Sequence, residues 1–326
     1  MIAAPSCLDI PPPLESLREA PQPARAGTIR IGTASWTDRT LLDSGTFYPP
    51  AVRTPEQRLR YYARHFSMVE VDASYYALPS TQTARAWLER TPGDFLFGLK
   101  AHAALTQHPF EPRRLDRDLQ AALATPARRA ERLYPRELPD AVLDLVWERF
   151  LAIARILQAG GKLGYVLFQM PPWFRPTPES IAYLEHVGAR TRGLPVAVEF
   201  RQPLWMAPSH RQRNLELLRT HDLAYVSVDE PQGTRASVPP IAEATSDRLA
   251  VVRFHGRRRA TWAARGIGVT ERFRYLYERD ELREWGPRIH VLAKRVAITH
   301  VVMNNCYREY GVQNAKDIAT LLTEPS

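Results

Sequence analysis

The sequence predicts an α/β protein, a single (β/α)8 TIM-type barrel preceded by a disordered, proline-rich N-terminal leader. Three observations carry that expectation. Eight short apolar runs, rich in β-branched and aromatic residues, recur along the chain after residue 28. Segments with helical spacing of apolar residues separate most of them. Polar side chains break into the runs near their carboxyl ends, where barrels of this type build their sites. Strand–helix alternation implies parallel strands with right-handed crossovers. An open doubly wound sheet uses the same alternation; the count of eight favours closure.

The leader, 1–27, holds Pro5, Pro11, Pro12, Pro13, Pro21 and Pro23 among few aliphatics. Proline removes donors and biases its neighbours towards extended forms, so no helix or strand is expected there. The first strand is 29–33. A helix over 56–65, with Leu59, Tyr62, Ala63 and Phe66 on one face, leads to the second strand, 68–72. A helix over 81–90 precedes the third strand, 95–100. A long arginine-rich connection follows, holding a helix over 142–158. Gly160-Gly161-Lys162 stops that helix and is not a phosphate loop. The fourth strand is 165–169. Helices 178–189 and 212–220 flank the fifth strand, 196–200, and the sixth is 224–228. The seventh, 249–254, runs into a basic, aromatic connection with a helix at 280–285 before the eighth, 300–303. The barrel domain is expected over 28–322, with a short tail at 323–326.

Composition bounds the class. The 326 residues are 44% hydrophobic and 24% charged, as in soluble globular proteins, which excludes disordered, collagenous and polytopic membrane chains. No stretch approaches the ~20 apolar residues of a membrane span, so no membrane partner is expected. Lys and Arg number 44 against 35 Asp and Glu, a net charge of +9. Only Lys100, Lys162, Lys294 and Lys316 are lysines. The leader carries −1, so the excess sits in the body and suits phosphate, nucleic acid or an acidic substrate. Cys7 and Cys306 provide neither a disulfide framework nor a metal knuckle. The leader also lacks the basic start and apolar core of a secretory signal. A reducing cytoplasm is the expected compartment.

The placement of polar residues is more informative. Glu70/Asp72, Lys100/His102, Glu199/Arg201, Ser227/Asp229 and Arg253/His255 each occupy one parity of a strand end. Side chains alternate faces with period two, so each pair points one way, and the apolar opposite parity is left for the helices. Gln169, Asn304 and Asn305 close the fourth and eighth strands. The plain alternative is a charge-compensated plug of mutually paired acids and bases. Buried ion pairs are costly, so stability alone explains such a plug poorly.

For a site, Arg201 and Arg253 suit a bidentate grip on carboxylate or phosphate. Glu199 and His255 are the candidates for acid–base work. Lys100 could hold a phosphate as a point charge or, less readily, act as a Schiff-base nucleophile. Asp72, Gln169, Asp229, Asn304 and Asn305 complete the expected substrate-binding set. A divalent metal held by Glu70, Asp72, Glu199, Asp229, His102 and His255 is conceivable but not favoured, because the neighbouring cations already neutralise the acids. No HExxH, Walker A or GxGxxG motif occurs, and the cofactor is left open. After the seventh strand, Arg257, Arg258 and Arg259 with Trp262 head a stretch, 253–279, of net charge +6. Phosphate binding around strands seven and eight, or stacking on single-stranded nucleic acid, would use such a loop. An arginine-rich loop whose aromatics pack on the barrel would look the same.

The order IGTASW (31–36), FYPP (47–50), RLRYYARHFSMVEVDASYYALP (58–79), FLFGLKAH (95–102), VLFQMPPWF (166–174), VEFR (198–201), VRFHGR (252–257) and NNCYREYGVQNA (304–315) resembles the domain of unknown function 72, or YecE-like, family. The resemblance spans about 28–322 and implies a TIM-barrel fold. It implies that Asp72, Lys100, Gln169, Glu199, Arg201, Arg253, His255, Asn304 and Asn305 lie on family positions, and it implies no reaction. Thr106-Gln107-His108 departs from the Thr-His of the family, and 109–140 is longer and richer in arginine.

Three functions follow as expectations. The first is an anion-binding barrel mouth, as in a hydrolase or isomerase acting on a phosphorylated or carboxylated small molecule. The second is a nucleic-acid-binding or nuclease-like protein using the basic loop. The third is a non-catalytic scaffold.

Overall fold

The computed structural model describes residues 28–262, 264 and 266–324. The expected leader, with Cys7, lies outside the described residues, as do Arg265 of the basic loop and the last two residues of the tail. Eight strands form: β1 (Thr28–Thr33), β2 (Met68–Val71), β3 (Leu96–Lys100), β4 (Leu163–Gln169), β5 (Val196–Glu199), β6 (Leu223–Asp229), β7 (Leu249–Phe254) and β8 (Ile298–Met303). Each overlaps an expected run. All pair in parallel, in the order β1-β8-β7-β6-β5-β4-β3-β2.

The sheet curls into a nearly closed barrel, with β1 and β2 meeting at its seam. There the Tyr62 hydroxyl accepts from the Thr33 amide at 2.9 Å and donates towards the Met68 carbonyl at 3.3 Å. One phenol thus bridges backbone groups that a strand ladder would otherwise pair. Approach at the seam is close. A Cβ on Gly32 would lie 2.1 Å from the Met68 carbonyl oxygen, so only glycine fits.

Helices cover the outside. The longest, Asp140–Ala159, buries Val142, Val146, Trp147, Phe150, Ile153 and Leu157 at three- and four-residue spacing, the apolar stripe of a core-facing helix. Its end satisfies orphan carbonyls, with Lys162 N bonded to Leu157 O, Gly161 N to Gln158 O, and Gly161 at φ 70°. The Lys162 ammonium donates to Leu88 O and Thr91 O, closing the helix Thr81–Glu89. The glycine pair is therefore a helix stop, as its sequence implies.

Several connections differ from a uniform eightfold repeat: between β3 and β4, for example, short helical turns precede the long helix Asp140–Ala159. Between β6 and β7 the chain crosses without a helix. Between β7 and β8 it makes four short helices, of which Arg279–Arg283 and Gly286–Ala293 are the last two. Gly286–Ala293 lies outside the expected segments, as does the closing helix Tyr310–Leu321, whose Val312, Ala315, Ile318 and Ala319 are buried. No helix among the described residues is long and apolar enough to cross a membrane.

Candidate functional site

The strand ends bring most of the expected polar residues together in two tiers. The lower tier centres on Arg253 of β7, which is fully buried. Its guanidinium bonds Glu199 at 2.5 Å and Glu70 at 2.6 Å, with the Asn304 amide oxygen at 3.3 Å. The Tyr165 hydroxyl donates to the other Glu70 oxygen at 2.7 Å. Burial works against the charge on Arg253, but Glu199 and Glu70 outweigh it and keep the group cationic. Burial likewise opposes charge on Glu199, yet Arg253, His255 and Arg201 together hold that carboxyl well below its usual range. At Glu70 burial wins over Arg253, and the carboxyl is raised. Arg253 is thus paired with a protein carboxylate on either side.

The lower tier also orients His255. Asn304 accepts from Arg253 through its oxygen, so its nitrogen donates to His255 Nδ1 at 2.9 Å. The neutral imidazole then carries its proton on Nε2. That atom lies 3.2 Å from a Glu199 oxygen, off the ideal line of a hydrogen bond, and has no other partner among the described residues. Burial pushes the His255 pKa down to about 4, so the ring is uncharged at neutral pH. The buried Tyr225 hydroxyl and Ser227 Oγ are also without partners among the described residues.

The upper tier is where the site meets solvent. Lys100 bonds Asp72 at 2.6 Å and lies 4.8 Å from the centre of the Tyr75 ring. Gln169 donates to Glu199 at 2.7 Å, consistent with their pairing across β4 and β5. The Arg201 side chain is 14% exposed and stacks over Trp262 with its guanidinium carbon 4.4 Å from the ring centre. Its polar contacts are long and use Nη1 alone, 3.2 Å to Glu199 and 3.4 Å to Glu230.

Glu230 is the residue that strand parity missed. Parity assigns the end of β6 to Asp229, but Asp229 accepts from Tyr277, Trp285 and Arg257 instead. Two of these partners, Tyr277 and Trp285, pack against Phe254. The chain leaves the strand there, period-two alternation ends, and the next carboxylate reaches Arg201. Burial raises the Glu230 carboxyl to about 7, only partly offset by Arg201 and the Val238 amide. Asn305 is also separate, since its nitrogen bonds Tyr275 O and Asn314 Oδ1 and ties the loop to the closing helix. His102 Nδ1 accepts from the Ala104 amide, capping its own turn.

The basic loop folds back over the mouth. Arg257 is spanned by Asp229 and Glu284, and Arg258 lies 3.6 Å from Glu271. Arg259 is exposed and enters no ion pair among the described residues. Trp262 is 5% exposed and, with Phe273, stands 5.9 Å from the His255 ring centre. The aromatics roof the site. Among the described residues no cluster of three or more His, Cys, Asp or Glu has the proximity to hold a metal ion.

A family model described as protein of unknown function DUF72 matches residues 30–326. Protein YunF of Bacillus subtilis (strain 168) is 29% identical over 297 residues, covering 90% of this chain and 94% of that protein. Protein YecE of Escherichia coli (strain K12) is 26% identical over 187 residues, 57% of this chain and 53% of that one. Among solved structures, a DUF72 family protein of Thermotoga maritima MSB8 matches with a TM-score of 0.70 and 28% identity, over 91% of this chain and 99% of its own. One of Enterococcus faecalis V583 matches with a TM-score of 0.73 and 24% identity, over 91% and 96%; at that identity the likeness concerns the fold.

Proposed function

The chain belongs to the DUF72 family, and from that premise we propose that its barrel mouth binds the anionic group of a phosphorylated or carboxylated small molecule and moves a proton on it, in chemistry of the hydrolase or isomerase type. The observation that carries this reading is the state of Arg201. It is the solvent-facing cation nearest Glu199 and His255, it is braced on Trp262, and its Nη2 and Nε are uncommitted among the described residues. A guanidinium pre-oriented in this way loses little freedom on gripping a carboxylate or phosphate. Lys100 provides the second cation of the rim. Asp72 bonds Lys100, Gln169 bonds Glu199 and Asn304 bonds His255.

The proton chemistry divides by environment. Glu199 stays ionised and steadies charge. Neutral His255 offers its Nε2–H as a hydrogen-bond donor, and Glu230, raised to about 7, exchanges a proton near neutrality. The unpartnered Tyr225 hydroxyl and Ser227 Oγ support a ligand, because each buried unsatisfied group costs about 1–3 kcal/mol. Arg253 acts here as a strut that positions Glu199 and, through Asn304, His255. Asp229 and Asn305 hold the roof. A nucleic-acid partner for Arg257, Arg258, Arg259 and Trp262 is less well supported, since Trp262 faces inward and Arg257 is doubly paired. Calorimetric screening of phosphorylated and carboxylated metabolites tests the reading. A hit should be lost in Arg201→Ala and altered in Glu199→Gln, and unchanged binding and turnover in both variants would refute it.

A further inference from the structure

A second feature beside the mouth has no part in this chemistry. Trp173, in the turn after β4, is 54% exposed, and Tyr76 and Tyr134 nearby are 40% and 38% exposed. A lone exposed aromatic is ordinary. Here the indole is held in place. Pro171 and Pro172 precede it, and its neighbour Phe174 stacks on Trp205 at 5.5 Å and accepts from the Trp205 indole through its carbonyl. With Phe174 anchored inward, Trp173 is directed out at low entropic cost.

The ring also stands at the end of a continuous ladder. Lys100 lies over Tyr75, Tyr75 meets His108 edge-to-face at 5.3 Å, and His108 meets Trp173 at 5.7 Å and 70°. His108 is an aromatic rung, not a titrating group, because burial and then Lys100 push its pKa down to about 3. His108 is the only ring paired with Trp173 among the described residues, and the tryptophan is about half exposed. Trp173 lines two cavities. One, of about 320 Å³, adds Tyr75, Tyr76, Arg114 and Arg132; the other, of about 430 Å³, adds Gln107, Tyr134, Arg136 and Ser180. Both fall in the size range of small-molecule sites. The exposed rings carry arginine partners, Arg114 over Tyr76 and Arg136 over Tyr134.

We infer that Trp173 is the stacking platform of a subsite for the flat aromatic end of the substrate, and that the substrate is a nucleoside phosphate: its phosphate at Arg201 and Lys100, its base against Trp173. The inference rests on the anion reading of the mouth and names the class of molecule that would use it. An aromatic ladder leading away from Lys100, beside cavities lined by arginines, matches a ligand that joins an anion to a π-face. Gln107 and Ser180 line the cavity of about 430 Å³ beside Trp173.

The test titrates adenosine monophosphate and ribose 5-phosphate into the full chain and its variants by calorimetry. Stacking of a base on an aromatic side chain predicts that the nucleotide binds about tenfold tighter than the sugar phosphate. Trp173→Ala should erase that advantage and leave ribose 5-phosphate binding unchanged, while Trp173→Phe keeps most of it. Nucleotide affinity indifferent to Trp173→Ala, or equal weakening of both ligands, would overturn the subsite while ribose 5-phosphate binding lost in Arg201→Ala keeps the mouth reading. Binding of neither ligand to the wild-type chain overturns the inference; indifference of every screened anion to Arg201→Ala overturns the mouth reading beneath it.

Discussion

Replacing Arg253 with methionine separates a strut from a ligand contact. The substitution removes the cation between Glu70 and Glu199 and leaves two buried carboxylates. Breaking a buried pair by deleting one partner costs about 3–5 kcal/mol. The loss should fall near the lower end. Glu70, already raised by burial, escapes by taking up a proton, and Glu199 keeps Arg201 and His255. Because the stranded Glu70 protonates more readily in acid, the deficit should shrink between pH 8 and pH 6. Glu70→Gln leaves Arg253 paired with Glu199 and should cost about 1 kcal/mol, the scale of one hydrogen bond. The double variant should lose less than the two singles together, as expected for residues in direct contact. Urea unfolding followed by circular dichroism at both pH values measures all of this. A stable Arg253→Met protein that has lost only ligand binding would refute the assignment and return Arg253 to the ligand.

Two further predictions concern protons. His102, His255 and His300 are buried with pKa values lowered to about 4, 4 and 3 by desolvation. Below pH 6.5 the unfolded chain therefore binds protons that the native chain refuses, and stability falls as pH drops. The slope approaches about 4 kcal/mol per pH unit near pH 5 for the three histidines. Glu230, raised to about 7, opposes this, because the native state takes its proton first, and removes roughly 1.4 kcal/mol per unit of that slope. Equal unfolding midpoints at pH 7 and pH 5 would contradict the burial argument. The second prediction is proton uptake on anion binding. A ligand that draws Arg201 away from Glu230 raises that carboxyl further, so up to one proton is taken up per site just above pH 7. Titrations in buffers of different ionisation enthalpy measure it, and strictly proton-neutral binding at pH 7.5 would count against the coupling.

The strands were legible because parallel strands buried on both faces are short, apolar and β-branched, and all eight have that composition. Parity placed Glu70, Lys100, Glu199, Arg201, Arg253 and His255 on the inner side, since the period holds while the strand lasts. It failed at Asp229 and Glu230, where β6 ends and the alternation has no backbone to enforce it. Partner choice was not legible either. Arg253 and Glu199 are 54 positions apart and meet only because the barrel closes. Tyr165 reads as an apolar strand residue until its hydroxyl is seen on Glu70. The loop after β7 carries the charge and rings of a nucleic-acid surface, but composition does not reveal which way a ring faces. Trp262 turns inward onto Arg201, and the outward tryptophan is Trp173, in a turn whose charge gave no signal.

The claim that Arg201 is the anion contact is tested most directly by titrating ribose 5-phosphate against the wild-type chain and Arg201→Ala at fixed ionic strength. Loss of a charge-assisted contact of about 1.5–3 kcal/mol predicts binding weakened by at least tenfold, with the unfolding midpoint little changed. Equal affinity in the two proteins would contradict the account.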